Sequence, residues 1–255
     1  MELTEVKFWE DYWRDCQLPC EADMNSPFDR GLAEALKVRL KGVHGVAFEV
    51  GCAPGKWLTF MSKTFGMKAS GIEYSEAGMQ ATRRNFEILG LPIETILAGD
   101  FFAVEPEPKY DVVMSYGFIE HFDDPDAVVA RHAAWLKPGG KLIIGVPNFN
   151  GIYYPLQKIL DPAIIDKHNL KTMKLDYFRG LAQRLDLKLE SLEYLASFEP
   201  SLPIAKPGFG NPAQFLVKGF LRVAAKLRRS PALDNLNASW LSACILAIYQ
   251  KPESK

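Results

Sequence analysis

Between positions 43 and 146 the chain repeats one pattern: a short apolar run, a glycine or acidic turn, then a segment of helical periodicity. Residues 43–50 read as a first strand and 57–65 as its helix; 67–72 and 75–89 form the second pair. Residues 92–97, 110–115 and 141–146 read as further buried strands, with a helix over 124–136 before the last. Alternation of this kind predicts an α/β architecture, a parallel sheet with helices on both faces. Right-handed crossovers then bring the carboxyl ends of the strands to one edge, where such sheets bind ligands.

The C-terminal third departs from the pattern. Residues 187–195 and 243–250 read as strands six and seven, but the stretch between them is too long for a hairpin. It contains Pro200, Pro203, Pro207 and Pro212, followed by a helical segment over 214–229. On that segment Lys218, Arg222 and Lys226 share one face at i,i+4 spacing, while Leu216, Phe220, Val223 and Leu227 are apolar. At the other end, 6–15 reads as a helix rich in aromatic residues (Phe8, Trp9, Tyr12, Trp13). The expected organisation is one domain over 1–255. It comprises an N-terminal helical lid (1–42), a core (43–198), a cap insertion (199–236), and a final strand with its tail (237–255).

Composition narrows the function. Thirty Lys+Arg against 31 Asp+Glu give a net charge of −1, so no general electrostatic pull toward nucleic acid is expected. Cys16, Cys20, Cys52 and Cys244 lack the spacing of a disulfide framework or zinc site, and reduced thiols in a cytoplasmic protein are expected. Residues 1–5 have neither the basic nor the apolar region of a signal peptide. No apolar run is long enough to span a bilayer; the basic face of 214–229 is suited at most to peripheral contact with a membrane, and otherwise is a solvated face.

The most informative stretch is Phe48-Glu49-Val50-Gly51-Cys52-Ala53-Pro54-Gly55-Lys56, between a strand and a helix. Gly51 and Gly55 permit a sharp turn with close backbone approach to a ligand. The helix that follows offers free N–H groups at its start. A dinucleotide fingerprint beginning at Gly51 needs glycines at positions 53 and 56, which hold Ala53 and Lys56; this disfavours a nicotinamide oxidoreductase. Two carboxylates follow the next strands: Glu73, in Gly71-Ile72-Glu73-Tyr74-Ser75, and Asp100, in Ala98-Gly99-Asp100-Phe101. A carboxylate at the first position can accept hydrogen bonds from both hydroxyls of a ribose. Taken singly, each carboxylate is equally well read as a helix cap.

The glycine run resembles the E/D-x-G-x-G-x-G motif of class I S-adenosylmethionine-dependent methyltransferases, as Glu49, Gly51, Ala53 and Gly55, with Ala53 in place of the middle glycine. The stretch 110–125, Tyr110-Asp111-Val112-Val113-Met114-Ser115 through Glu120-His121-Phe122-Asp123-Asp124-Pro125, resembles their fourth-strand region. Leu136-Lys137-Pro138-Gly139-Gly140 resembles the turn into their fifth strand. The likeness covers about 47–146 and is nearest the ubiquinone-biosynthesis-like, small-molecule branch. It implies a Rossmann-like, doubly wound, seven-stranded, mostly parallel sheet and S-adenosyl-L-methionine as cofactor. It also implies in-line methyl transfer to a small-molecule acceptor. A non-catalytic cofactor-binding module of the same fold is the alternative. The implied cofactor contacts are Glu49, Gly51, Ala53, Gly55, Glu73, Tyr74, Asp100, Phe101, Ser115 and Tyr116.

His121 is the candidate general base, since an imidazole titrates near neutrality and the residue lies just past the fourth strand. The competing reading is a structural histidine that shapes the pocket. Tyr12, Tyr153 and His168 are candidates for the acceptor side, and Trp9, Tyr12 and Trp13 for a lid. Glu120, His121, Asp123 and Asp124 bring metal-type donors together, but beside Pro125 such a cluster caps the next helix, and no metal is expected. The cofactor motifs are shared by enzymes with unrelated acceptors, so acceptor choice is expected to reside in 199–236, with its helix packed on the cleft.

Overall fold

The seven strands are β1 (Val46–Val50), β2 (Lys68–Glu73), β3 (Ile93–Ala98), β4 (Tyr110–Tyr116), β5 (Leu136–Pro147), β6 (Lys188–Leu195) and β7 (Cys244–Gln250). They form one sheet in the order β3-β2-β1-β4-β5-β7-β6. Pairing is parallel from β3 through β5, and β7 runs antiparallel to both its neighbours. The computed structural model describes residues 6–205, 212–228, 234 and 236–253.

Successive side chains of a strand point to opposite faces, and the central strands are apolar on both. Phe48, Val113, Leu142, Ile144 and Tyr249 pack on one face with Val128 and Val129 of α5 (Pro125–Ala134) and with Phe178 and Leu181 of α8 (Leu175–Arg184). Ala47, Val112, Met114, Ile143 and Ile248 pack on the other. There they meet Leu32 and Leu36 of α2 (Pro27–Arg39), Leu58 and Met61 of α3 (Lys56–Phe65), and Phe86 of α4 (Glu76–Leu89). The sheet is therefore doubly wound. A third cluster, with Phe149, Tyr153, Ile165 and Met173, lies under the connection from β5 to α8. That connection holds α6 (Tyr153–Leu160), α7 (Ala163–Asp166) and the 3-10 turn η2 (Leu170–Thr172). The sequence pattern left α2, α6, α7 and α8 unassigned.

Two strand limits differ from expectation. β1 begins at Val46 rather than 43, because the Val43 N–H closes the end of α2 on the Leu40 carbonyl at 3.0 Å. β5 begins at Leu136, five residues early, because Leu136 already pairs with Tyr110. The entry to β1 is set by Asp111 of β4, whose Oδ2 accepts from Val46 N at 2.8 Å and whose carboxylate also receives Lys137 Nζ at 2.8 Å. Asp111→Ala should lower unfolding free energy in urea by about 1–3 kcal/mol, since a backbone N–H is left unpaired. Asp111→Asn should lose less, because an amide oxygen still accepts and the Lys137 pair is half-exposed. Equal losses for the two variants would contradict this assignment.

Candidate functional site

β1, β2, β3 and β4 end side by side, and a cleft of about 290 Å³ opens there. Its floor is the turn after β1. Gly51 adopts φ +67°, and its N–H donates to the Ile72 carbonyl of β2 at 2.9 Å. A Cβ at Gly51 would stand 3.0 Å from the Phe118 ring. Gly51, Ala53 and the buried carboxylate of Glu49 line the cleft. One oxygen of Glu49, Oε2, is buried without a hydrogen-bond partner, and burial raises the Glu49 pKa well above the carboxylate range. Lys56, at the start of α3, also lines the cleft and pairs with Asp29 of α2 at 2.8 Å.

Glu73 stands at the end of β2. Its Oε1 accepts from Ser75 N at 2.9 Å and its Oε2 from Ala53 N at 3.3 Å. Burial raises its pKa, and these N–H groups pull it back. The Gly99 N–H donates to the Glu73 carbonyl at 3.0 Å, which sets the end of β3 beside β2 and brings Asp100 to the same wall. Asp100 Oδ1 accepts from Phe102 N at 2.8 Å, so its turn is self-capped. Arg131 of α5 holds that turn from below. It donates to the carbonyls of Phe101 at 2.8 Å, Phe102 at 3.0 Å and Val104 at 2.6 Å. Sequence reasoning did not single out Arg131; only its charge distinguished it from the rest of an ordinary helix.

The opposite wall is the 3-10 turn η1 (Ile119–His121). Asn169 braces it, donating from N to the Glu120 carbonyl at 2.6 Å and from Nδ2 to that of Phe122 at 3.1 Å. His121 Nδ1 lies 2.9 Å from the Lys167 carbonyl and must be its protonated, donating nitrogen, so in the neutral ring Nε2 is the accepting one. Burial, with His168 adding to it, lowers the His121 pKa to about 3. Glu120 is fully buried, neither carboxyl oxygen has a hydrogen-bond partner, and burial pushes its pKa up to about 8. Donor atoms of Glu120, His121 and His168 lie within 4.8 Å of one another. This carboxylate and imidazole set is of a kind that divalent transition metals accept.

The roof is α1 (Val6–Arg14). Glu10 caps α4, accepting from Glu76 N at 2.6 Å and Ala77 N at 3.1 Å. Trp9 meets His121 edge-on at 5.4 Å between ring centroids, and Lys167 Nζ sits 4.1 Å over the Phe8 ring. Trp9, Tyr12 and Trp13 all face the cleft.

Of the residues singled out from the sequence, the cleft gathers Glu49, Gly51, Ala53, Glu73, Tyr74, Asp100, Phe101, Tyr116, His121 and Tyr12. Of the expected cofactor and acceptor contacts, Gly55, Ser115, Tyr153 and His168 stand outside its lining, as do Glu120, Asp123 and Asp124 of the acidic cluster. Gly55 adopts φ +86° beneath the turn, where a Cβ would meet the Phe86 ring at 2.9 Å. Ser115 faces the interior, fully buried. Tyr153 belongs to the third core cluster, its hydroxyl accepting from Glu199 N at 2.6 Å. His168 lies behind His121, 4.7 Å between ring centroids, and donates from Nδ1 to the Ile164 carbonyl. Of the expected cap 199–236, none of 199–205, 212–228, 234 or 236 lines the cleft, and 206–211, 229–233 and 235 lie outside the described residues. Helix α9 (Pro212–Leu227) packs on α6 and leaves Phe220, Val223 and Leu227 exposed. Trp57, Phe102, Phe118 and Phe122, which also line the cleft, gave no sequence signal beyond apolar character.

A model of the methyltransferase domain matches residues 22–192. The chain is 33% identical over 143 residues to a ubiquinone biosynthesis O-methyltransferase of Thiobacillus denitrificans, covering 52% of this chain and 60% of that one. It is 28% identical over 182 residues to the protein of that name from Alkalilimnicola ehrlichii, covering 60% and 72% respectively. Among solved structures it resembles an S-adenosylmethionine-dependent methyltransferase of Archaeoglobus fulgidus (TM-score 0.52, 18% identity, 87% of this chain and 96% of that one). It also resembles a phosphoethanolamine N-methyltransferase of Haemonchus contortus in complex with S-adenosylhomocysteine (TM-score 0.59, 16% identity, 87% and 53%). At these identities the structures speak for the fold. With the match over 22–192, which covers more than half of the chain, the chain belongs to the class I S-adenosylmethionine-dependent methyltransferase family.

Proposed function

We propose that this chain transfers a methyl group from S-adenosylmethionine to a hydroxyl of a small-molecule acceptor. The observation that carries the reading is one cleft with two unlike walls: a glycine turn with Glu73 and Asp100 on one side, and η1 with His121 on the other. Glu73 and Asp100 suit the ribose and adenine of the cofactor, with Phe101 against the ring. The unpartnered Oε2 of Glu49 suits the ammonium of the methionine end, and Lys56 suits its carboxylate. Gly51 keeps clear the space a Cβ would fill.

The cofactor supplies a methyl group on a sulfonium, which is electrophilic without further activation. The chain's residues then align the acceptor, exclude water and take up its proton. Trp9, Tyr12 and Trp13 roof the cleft and exclude water. The Lys167 carbonyl holds the tautomer that aims Nε2 of His121 as proton acceptor. With S-adenosylmethionine bound, which would supply the methyl group, Nε2 of His121 would take the acceptor's hydroxyl proton and pass it on, since a pKa lowered to about 3 does not let the ring retain it at neutral pH. The curated relatives are named as O-methyltransferases, which supports a hydroxyl acceptor. The four cysteines are free thiols, which supports a cytoplasmic setting. No helix among the described residues is long and apolar enough to cross a membrane.

Glu73→Ala and Asp100→Ala should each weaken S-adenosylhomocysteine binding about tenfold or more in calorimetry, since each removes hydrogen bonds to a charged acceptor worth roughly 1.5–3 kcal/mol. Arg131→Ala, outside the cleft lining, should weaken binding several-fold by loosening the 101–104 turn. Unchanged affinity in both carboxylate variants would refute the adenosine assignment.

His121→Ala should leave S-adenosylhomocysteine affinity near wild type and lower turnover by ~10²-fold at neutral pH. The pH profile tests the same residue. With its pKa lowered to about 3, His121 stays neutral well below the point where a free imidazole protonates. Turnover should therefore show no acid limb near the ordinary value of about 6.5. A limb there, absent in His121→Ala, would show that His121 titrates normally. Loss of affinity and turnover together would make the residue structural.

A further inference from the structure

Lys56 stands between two carboxyl groups and is held by one of them. It is the first residue of α3, follows Gly55 at φ +86°, and lines the cleft with Glu49. Its Nζ donates to Asp29 Oδ1 at 2.8 Å and to Oδ2 at 3.1 Å. Asp29 is itself fixed. It sits in the first turn of α2, a helix anchored in the core by Leu32 and Leu36, and its side chain is 6% exposed. Its Oδ2 also accepts from Asp23 N at 2.9 Å, and its own N–H donates to the Ser26 hydroxyl at 3.3 Å. An ammonium has three donors, so Asp29 takes two and leaves one for the cleft.

On the other side stands Glu49. Burial raises its pKa, and the Leu58 backbone and the Lys56 charge offset only part of that rise. The charge of Lys56 thus reaches Glu49 while Oε2 of that carboxyl keeps no hydrogen-bond partner. A lysine swings on a flexible four-carbon stem. A Lys56 released from Asp29 would find in Glu49 a buried carboxyl in need of a counter-charge, whereas Glu73 is already engaged by Ser75 and Ala53. A Lys56–Glu49 pair would cancel both charges inside the protein.

We propose that Asp29 is a positioning residue for the amino-acid end of the cofactor. Its grip keeps Lys56 off Glu49, so that the carboxylate of that end meets Lys56 and the ammonium meets Glu49. Asp29 is outside the cleft lining and acts through Lys56. The inference rests on the assignment of the cleft to S-adenosylmethionine.

The test compares two ligands in calorimetry on the full chain: S-adenosylhomocysteine, and methylthioadenosine, which keeps the adenosine and the sulfur but lacks the amino-acid end. Asp29→Ala should weaken S-adenosylhomocysteine binding about tenfold or more and leave methylthioadenosine within about twofold of wild type. Asp29→Asn, which keeps an acceptor but not the charge, should lose less. Lys56→Met should match Asp29→Ala, and the double variant should show no further loss, because the two residues act as one unit. Parallel losses for both ligands would make Asp29 a residue of the fold and overturn the proposal. So would additive losses in the double variant, or tighter S-adenosylhomocysteine binding by Asp29→Ala, since the Asp29 charge would then repel the ligand carboxylate. A wild type that binds the two ligands equally would also overturn it, while leaving the adenosine assignment standing. A wild type that binds neither would instead refute the cofactor assignment from which the proposal starts.

Discussion

The site depends on the turn after β1 being tied to the end of its parallel neighbour β2 by two N–H groups on one carbonyl. Gly51 N donates to the Ile72 oxygen at 2.9 Å and Cys52 N donates to the same atom at 3.2 Å. The chain can make that turn only with φ near +67° at Gly51, where a residue bearing a Cβ is strained by roughly 1–2 kcal/mol. With the turn in place, Ala53 N reaches Glu73, and Glu73 in turn fixes Gly99 through its own carbonyl. Glu49, Glu73 and Asp100 sit on three different strand ends, yet share one wall because each end is tied to the next by a backbone hydrogen bond.

Charge burial then distinguishes the two walls. Glu49 and Glu120 are both buried carboxyl groups with oxygens that lack partners, a costly arrangement in a closed interior. Each responds by a raised pKa. Glu49 opens on the cleft, where a ligand ammonium would restore its charge. Glu120 is instead held behind η1, and its backbone carbonyl receives Asn169. Two acidic residues that look alike in sequence thus differ in what relieves them: a ligand for one, retention of its proton for the other.

Most of the core and the carboxylate-bearing wall of the cleft was legible because both follow from local pattern. Apolar runs at period two, glycines where φ must be positive and carboxylates at strand ends each carry their meaning within a few residues. What was not legible depends on contacts across the chain. Arg131 acts on a turn 27 to 30 residues earlier, and nothing in α5 distinguishes a side chain pointing that way. Ser115 was expected in the cleft from the resemblance of the fourth-strand region, but successive strand residues face opposite ways, and of the two Tyr116 opens on it. Tyr153 is well placed along the chain to line an acceptor pocket. Its hydroxyl is instead committed to the backbone of Glu199.

The misplacement of the 199–236 segment has a geometric cause that also assigns the two long connections their parts. Both leave from the carboxyl edge of the sheet: the first follows β5, and the second joins β6 to the start of the antiparallel β7. Its length and the apolar face of its helix favoured the second as the cover of the cleft. Strand order decides otherwise. β5 is the immediate neighbour of β4, whose end carries η1, whereas β7 and β6 lie one and two strands further out. At about 4.8 Å per strand, β6 stands roughly 19 Å from β1. The β5–α8 connection therefore supplies Lys167, His168 and Asn169 to the back of His121, and the helix of the β6–β7 connection, α9, packs on α6.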